Sequence, residues 1–148
     1  MGSSGRRAGG GARRFGVLAG AALSLFLAPR PARPQSPRVI EILADHDSRF
    51  KIAGEKEPEI TVHAGELLTL RVRAVKAKNR NRDGSIHGFA LLRAKGRSRV
   101  RGWDFLLRPG VQDLDATAPA EPGEYAVVCT VICSDDHEGM HMRFVVLP

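Results

Sequence analysis

The chain has 148 residues, with 23 basic and 16 acidic side chains, and carries a formal charge of +7 that is concentrated at its N-terminal end. Six of the basic residues and none of the acidic ones precede residue 36, so the remaining 17 basic and 16 acidic groups nearly cancel. The charge therefore gives no ground for nucleic-acid binding. Residues 36–148 suffice for one domain with a single modest core.

Residues 1–35 read as a signal peptide or N-terminal anchor. They combine Arg6, Arg7, Arg13 and Arg14, the 14-residue apolar run from Phe15 to Ala28, and a proline-rich exit. The run is shorter than the roughly 18–20 residues that span a bilayer comfortably. Such a leader implies a periplasmic or other extracytoplasmic location, with membrane contact only through an uncleaved anchor.

The domain at 36–148 reads as all-β. Val39–Ala44 alternates loosely, Glu59–Val62 is short, and Leu67–Val75 alternates clearly, with Leu68, Leu70, Val72 and Ala74 on one face. Ile86–Leu92, Val111–Ala118, Glu124–Cys129 and Met142–Leu147 complete seven strands. Turn signals separate several of them, at Ala64–Glu66, Arg82–Ser85, Arg108–Gly110 and Glu121–Glu124. Seven short strands at this spacing predict a Greek-key β-sandwich or barrel. The segment from Gly96 to Phe105 is expected to cross between sheets, with Trp103 plugging the core. The basic stretch Arg71–Arg108 reads as a solvated strand face and loop, because it lacks the interleaved aromatics of single-strand binders.

Chemistry concentrates in Cys129-Thr-Val-Ile-Cys133-Ser-Asp-Asp-His137-Glu-Gly-Met140. The strand ending at Cys129 and the strand after Met140 pin this loop at both ends. Three readings stand open. A disulfide suits an exported protein but would close a very short loop, and it leaves His137 and Met140 unused. Inert buried thiols suit Cys129 on its strand better than Cys133 in a polar loop. A metal site uses all four side chains, and thiolate, imidazole and thioether together favour copper. Asp135, Asp136 and Glu138 would give such a site an acidic rim, able to steer a basic redox partner. His46 and His63 read as surface or edge residues, and His141 as pointing away from the loop.

Cys-x3-Cys-x3-His-x2-Met just before a last β-strand resembles the CuA motif. That motif belongs to subunit II of cytochrome c oxidases and to the C-terminal domain of nitrous-oxide reductases. The similarity covers Glu59–Pro148 and includes an upstream His followed by Gly-Phe, here His87-Gly88-Phe89. It implies a cupredoxin-like fold and two copper ions bridged by Cys129 and Cys133. In that arrangement His87 and His137 each bind one copper, and Met140 and the main-chain carbonyl of Val131 are the axial ligands. The function implied is one-electron transfer, not enzyme catalysis, with a cytochrome c or a copper-containing oxidase as partner. The chain departs from the oxidase pattern where that pattern has an aromatic soon after the upstream His, and it lacks a haem-binding Cys-x-x-Cys-His. Copper delivery to an oxidase, on the same ligands with one copper, is the alternative function. A metal-free disulfide-bonded module is the third.

Overall fold

The computed structural model describes residues 36–75 and 79–148, apart from the side chain of His137. The expected leader at 1–35 and part of the basic loop after Val75 lie outside the described residues. Among the described residues there are nine strands: β1 Arg38–Ala44, β2 Phe50–Lys51, β3 Glu59–His63, β4 Leu67–Ala74, β5 His87–Arg93, β6 Arg99–Leu107, β7 Gly110–Thr117, β8 Gly123–Val128 and β9 His141–Leu147. The only helical element among the described residues is a single 3-10 turn at His137–Gly139. No described helix is long and apolar enough to cross a membrane.

The strands form two mixed sheets, β2-β1-β4-β7 and β3-β9-β8-β5-β6. β1 pairs parallel with β4, and β3 pairs parallel with β9, while the remaining pairs are antiparallel. Alternation explains which faces meet. Leu68, Leu70, Val72 and Ala74 of β4 are buried, and between the sheets they meet Ile60 and Val62 of β3, Tyr125 and Val127 of β8, and Met142, Phe144 and Val146 of β9. Phe50 packs edge-to-face on Phe89 with centroids 5.3 Å apart, and Trp103 does the same on Phe144 at 5.2 Å.

Trp103 is a core plug as expected, with its indole N–H donating to the Thr117 carbonyl at 2.9 Å. The segment around it, however, does not cross between the sheets. Arg99–Leu107 is a full edge strand paired antiparallel with β5, and the crossing falls to the Arg108–Pro109 corner. Two irregularities hide the strand in the sequence. Gly102 takes a left-handed φ of 81°, and the inward set runs Val100, Trp103, Phe105, Leu107, so the period of two breaks once. The pairing register with β5 also shifts between Ala90 and Leu92. β2 is too short to carry any pattern.

Among the described residues, most of the charged side chains of the basic stretch are exposed. Arg71 forms a paired contact with Asp113 across β4 and β7, Arg93 reaches Glu121, and Arg99 reaches Asp104. Such exposed pairs contribute about 0–1 kcal/mol each. The stability lies in the sandwich interior. Phe89→Ala, at a fully buried position against Phe50, is expected to cost about 3–5 kcal/mol. A urea unfolding curve checks it, with a lower midpoint at unchanged slope as the expected result.

Candidate metal centre

Two segments bring the donor atoms together at one end of the sandwich. β5 begins at His87 between β8 and the edge strand β6 of the five-stranded sheet, and its first five residues are all buried. The ligand loop leaves β8 after Val128 and returns at β9, and it is tied across its neck by the Cys129 N–H donating to the Met140 carbonyl at 3.0 Å. A third segment supports the loop, because the Asn79 N–H donates to the Cys133 carbonyl at 3.1 Å.

Ligand atoms of His87, Cys129 and Cys133 all lie within 4.8 Å of one another. The two sulfurs are 3.7 Å apart, and the Met140 sulfur lies 4.0 Å from Cys133. A disulfide needs about 2.05 Å, so both cysteines are free thiols in this geometry. The separation suits a shared metal: sulfurs each about 2.3 Å from one ion at a tetrahedral angle are roughly 3.8 Å apart. The Val131 carbonyl, between the cysteines, is 3.3 Å from the Cys129 sulfur. Cys133 and Met140 are buried, whereas Ile132 between the cysteines is 64% exposed. Asp135, Asp136 and Glu138 are exposed on the loop, and the His137 side chain lies outside the described residues.

His87 makes the strongest case for a ligand set. Its ring is fully buried, and Nε2 lies 3.3 Å from the Val75 carbonyl. That contact requires the proton on Nε2 and leaves Nδ1 as a lone-pair donor. Nδ1 is the one buried side-chain nitrogen or oxygen among the described residues that has no hydrogen-bond partner. Leaving such an atom unsatisfied costs about 1–3 kcal/mol; a metal ion in front of it removes that cost. The residues present therefore fit a soft-metal site.

Burial also sets the protonation states of the metal-free chain. It holds the His87 imidazole below its ordinary value, against smaller opposing effects of the Val75 carbonyl and Asp45. Burial pushes the Cys129 thiol up to about 11, and proximity to Cys133 adds to that rise. The Gly88 N–H, donating to the Cys129 sulfur at 3.3 Å, works in the other direction.

The residues around the donors were less visible in the sequence. Gly88 is required sterically: a Cβ there would stand 2.7 Å from the Thr130 backbone nitrogen and closer still to its hydroxyl. Ser48 and Val75 also touch the site, and neither belongs to a motif, because their contacts are tertiary. His46, His63 and His141 are exposed, in line with their sequence reading.

No protein-family profile matches the chain, and no curated protein is significantly similar to it. Solved structures are similar in fold. Auracyanin A, a "blue" copper protein from the green thermophilic photosynthetic bacterium Chloroflexus aurantiacus, aligns at 21% identity with a TM-score of 0.50, over 76% of this chain and 100% of that one. Auracyanin B aligns at 17% identity with a TM-score of 0.50, over 77% and 92%. Rusticyanin from Thiobacillus ferrooxidans aligns at 15% identity with a TM-score of 0.50, over 76% and 79%. This is the cupredoxin fold. Cupredoxin architecture accounts for the two mixed sheets and for a loop that joins the last two strands at one end.

Two outcomes follow. Gly88→Ala is expected to cost about 1–3 kcal/mol by overpacking, and to lower metal affinity because Thr130 and Cys129 must shift; thermal unfolding and metal titration check both. For the metal-free chain, stability should be greatest between the ordinary values of His87, 6.5, and Cys129, 9.0. Below that window the unfolded chain takes up a proton that folded His87 resists, so stability falls with pH. Above it the unfolded chain loses a Cys129 proton that the folded chain keeps to about 11, so stability falls as pH rises. Unfolding in chelator across the pH range reads both limbs.

Proposed function

We propose that this chain is an exported copper protein that carries electrons, and that its centre is of the binuclear CuA type. Cys129 and Cys133 bridge the two ions in this reading, His87 and His137 each bind one, and Met140 and the Val131 carbonyl complete the set. The observation that carries the reading is a cluster of two free thiols and the His87 imidazole within 4.8 Å at the end of a cupredoxin sandwich, with one nitrogen of that buried ring unpartnered. When bound, such a centre supplies one-electron redox chemistry. A donor set this full leaves no open position for a substrate, which favours a carrier over an enzyme.

The chain's own part is to keep the cage still. His87 is fixed by the Val75 carbonyl, Cys129 by the neck of the loop, and Cys133 by the Asn79 amide. Donors locked from several sides rearrange little when charge changes. Ile132 and the acidic Asp135, Asp136 and Glu138 are all exposed on the same loop. That surface suits a basic redox partner such as a cytochrome c, with the apolar residue at the contact and the carboxylates steering the approach. Work outside the cytoplasm, in the periplasm or tethered to a membrane by residues 1–35, is part of the same reading.

The decisive measurement is copper per chain, taken with an electron paramagnetic resonance spectrum. Two coppers and a seven-line hyperfine pattern are expected, the pattern reporting one unpaired electron shared over both ions. Cys129→Ser should retain at most one copper and lose the pattern. One copper in the native chain, with a single-thiolate spectrum, would overturn the binuclear assignment. Stopped-flow mixing with reduced cytochrome c separates electron transfer from copper delivery. Rapid oxidation of the cytochrome, slowing steeply as salt rises, is the expected result; transfer of metal without electron flow would favour delivery.

A further inference from the structure

A buried serine from a distant loop reaches the Cys133 sulfur. Ser48 is 1% exposed and takes a left-handed φ of 57°, a conformation uncommon for a residue with a side chain. Its hydroxyl lies 3.8 Å from the Cys133 sulfur and 2.6 Å from the Ser134 hydroxyl. Ser134 in turn accepts the Asp136 backbone N–H at 3.1 Å.

The surroundings over-determine this placement. The Asp45 and Arg49 backbones close the loop around Ser48, through Asp45 N–H to the Arg49 carbonyl at 2.9 Å and Ser48 N–H to the Asp45 carbonyl at 3.1 Å. The Arg49 guanidinium donates to the Ser48 carbonyl at 2.9 Å, and a Cβ on Gly139 would lie 3.2 Å from the same group. The loop before β2 is thus seated against the ligand loop. Backbone strain held in place by such contacts is a mark of functional sites.

We propose that Ser48 is a positioning residue of the metal centre, whose hydroxyl donates to the Cys133 sulfur and sets the centre's electron affinity. A thiolate can only accept hydrogen bonds, and Ser48 has a single proton. The arrangement that satisfies both contacts has Ser134 donating to Ser48 and Ser48 donating to Cys133. The sulfurs are then served differently: Cys129 receives the Gly88 backbone N–H, and Cys133 receives a side chain. A hydrogen bond into sulfur draws charge from it and weakens its donation to oxidised copper more than to reduced copper. The bond therefore favours the reduced state. This inference rests on the copper reading above.

The test compares the full-length chain with Ser48→Gly and Ser134→Ala by copper content, thiolate-to-copper absorption and reduction potential. Glycine accepts the positive φ without strain, so Ser48→Gly removes the hydroxyl alone. Copper content should stay the same, and the absorption band should shift. At a fixed applied potential, the ratio of oxidised to reduced centre should rise roughly fivefold, as loss of one ordinary hydrogen bond gives. Ser134→Ala, which removes the ordering donor together with the acceptor of the Asp136 N–H, should shift the ratio in the same direction by less. An unchanged band and potential in a copper-loaded Ser48→Gly would overturn the inference, and so would loss of copper from that variant. A native chain that bound no copper would instead overturn the copper reading, and this one with it.

Discussion

The close approach of Thr130 to Gly88 is the constraint on which the site depends. β5 lies in the interior of the five-stranded sheet, and the chain leaving β8 passes directly over it. Only a residue without a side chain allows that passage. Because the two backbones nearly touch, the imidazole of His87 and the sulfur of Cys129 come within reach of one point, and the Gly88 N–H turns towards that sulfur. The remaining donors follow from the loop being tied at its neck. A bulkier residue at this crossing would separate the strand that carries the imidazole from the loop that carries the thiols.

His87, Cys133 and Met140 are buried and Cys129 is half-buried, and the electrostatics of the site follow from that. Burial, not a neighbouring charge, is the main cause of both shifts: it holds the His87 imidazole down and pushes the Cys129 thiol up. Both groups are thereby biased to their neutral forms before a metal arrives. A neutral imidazole is ready to bind, whereas a neutral thiol must give up its proton. Metal uptake at Cys129 is therefore coupled to proton release, and affinity rises with pH on that account. The charged residues stay at the surface, where Arg71 meets Asp113 and Lys51 meets Asp45 and Asp47. The charge pattern of the outside and the chemistry of the inside are thus largely separate.

How much of this the sequence disclosed depended on whether a signal was local. The alternation in Leu67–Val75 and Met142–Leu147 placed those strands to within a residue, since each presents one face to the core. Cys129, Cys133 and Met140 stood out as candidates because they share one short loop, and His87 because a resemblance pointed to it. β6 was not readable, because Gly102 interrupts its period and its exposed positions are arginines. Nor were Ser48 and Val75, whose importance comes from folding distant segments onto the site; Ser48 and Cys133 are 85 positions apart. Motifs reveal atoms that bind. The groups that hold those atoms in place leave no pattern along the chain.

The parallel pairings carry a consequence for the order of events during folding. β1 reaches β4, and β3 reaches β9, only after the intervening chain has been looped out, and that closure costs entropy before the pairing contributes. The two thiols, by contrast, are neighbours in the nascent chain and meet early. Until β5 is in place beside β8, nothing positions the imidazole against them or shields Cys133 from solvent and oxidants. In an oxidising compartment the chain would pass through an interval in which its two thiols are open to oxidation. Completion of the second sheet ends that interval, when burial of Cys133 and the 3.7 Å spacing of the sulfurs take effect. In such a compartment, folding rate as well as ligand identity would govern how many chains keep both thiols reduced.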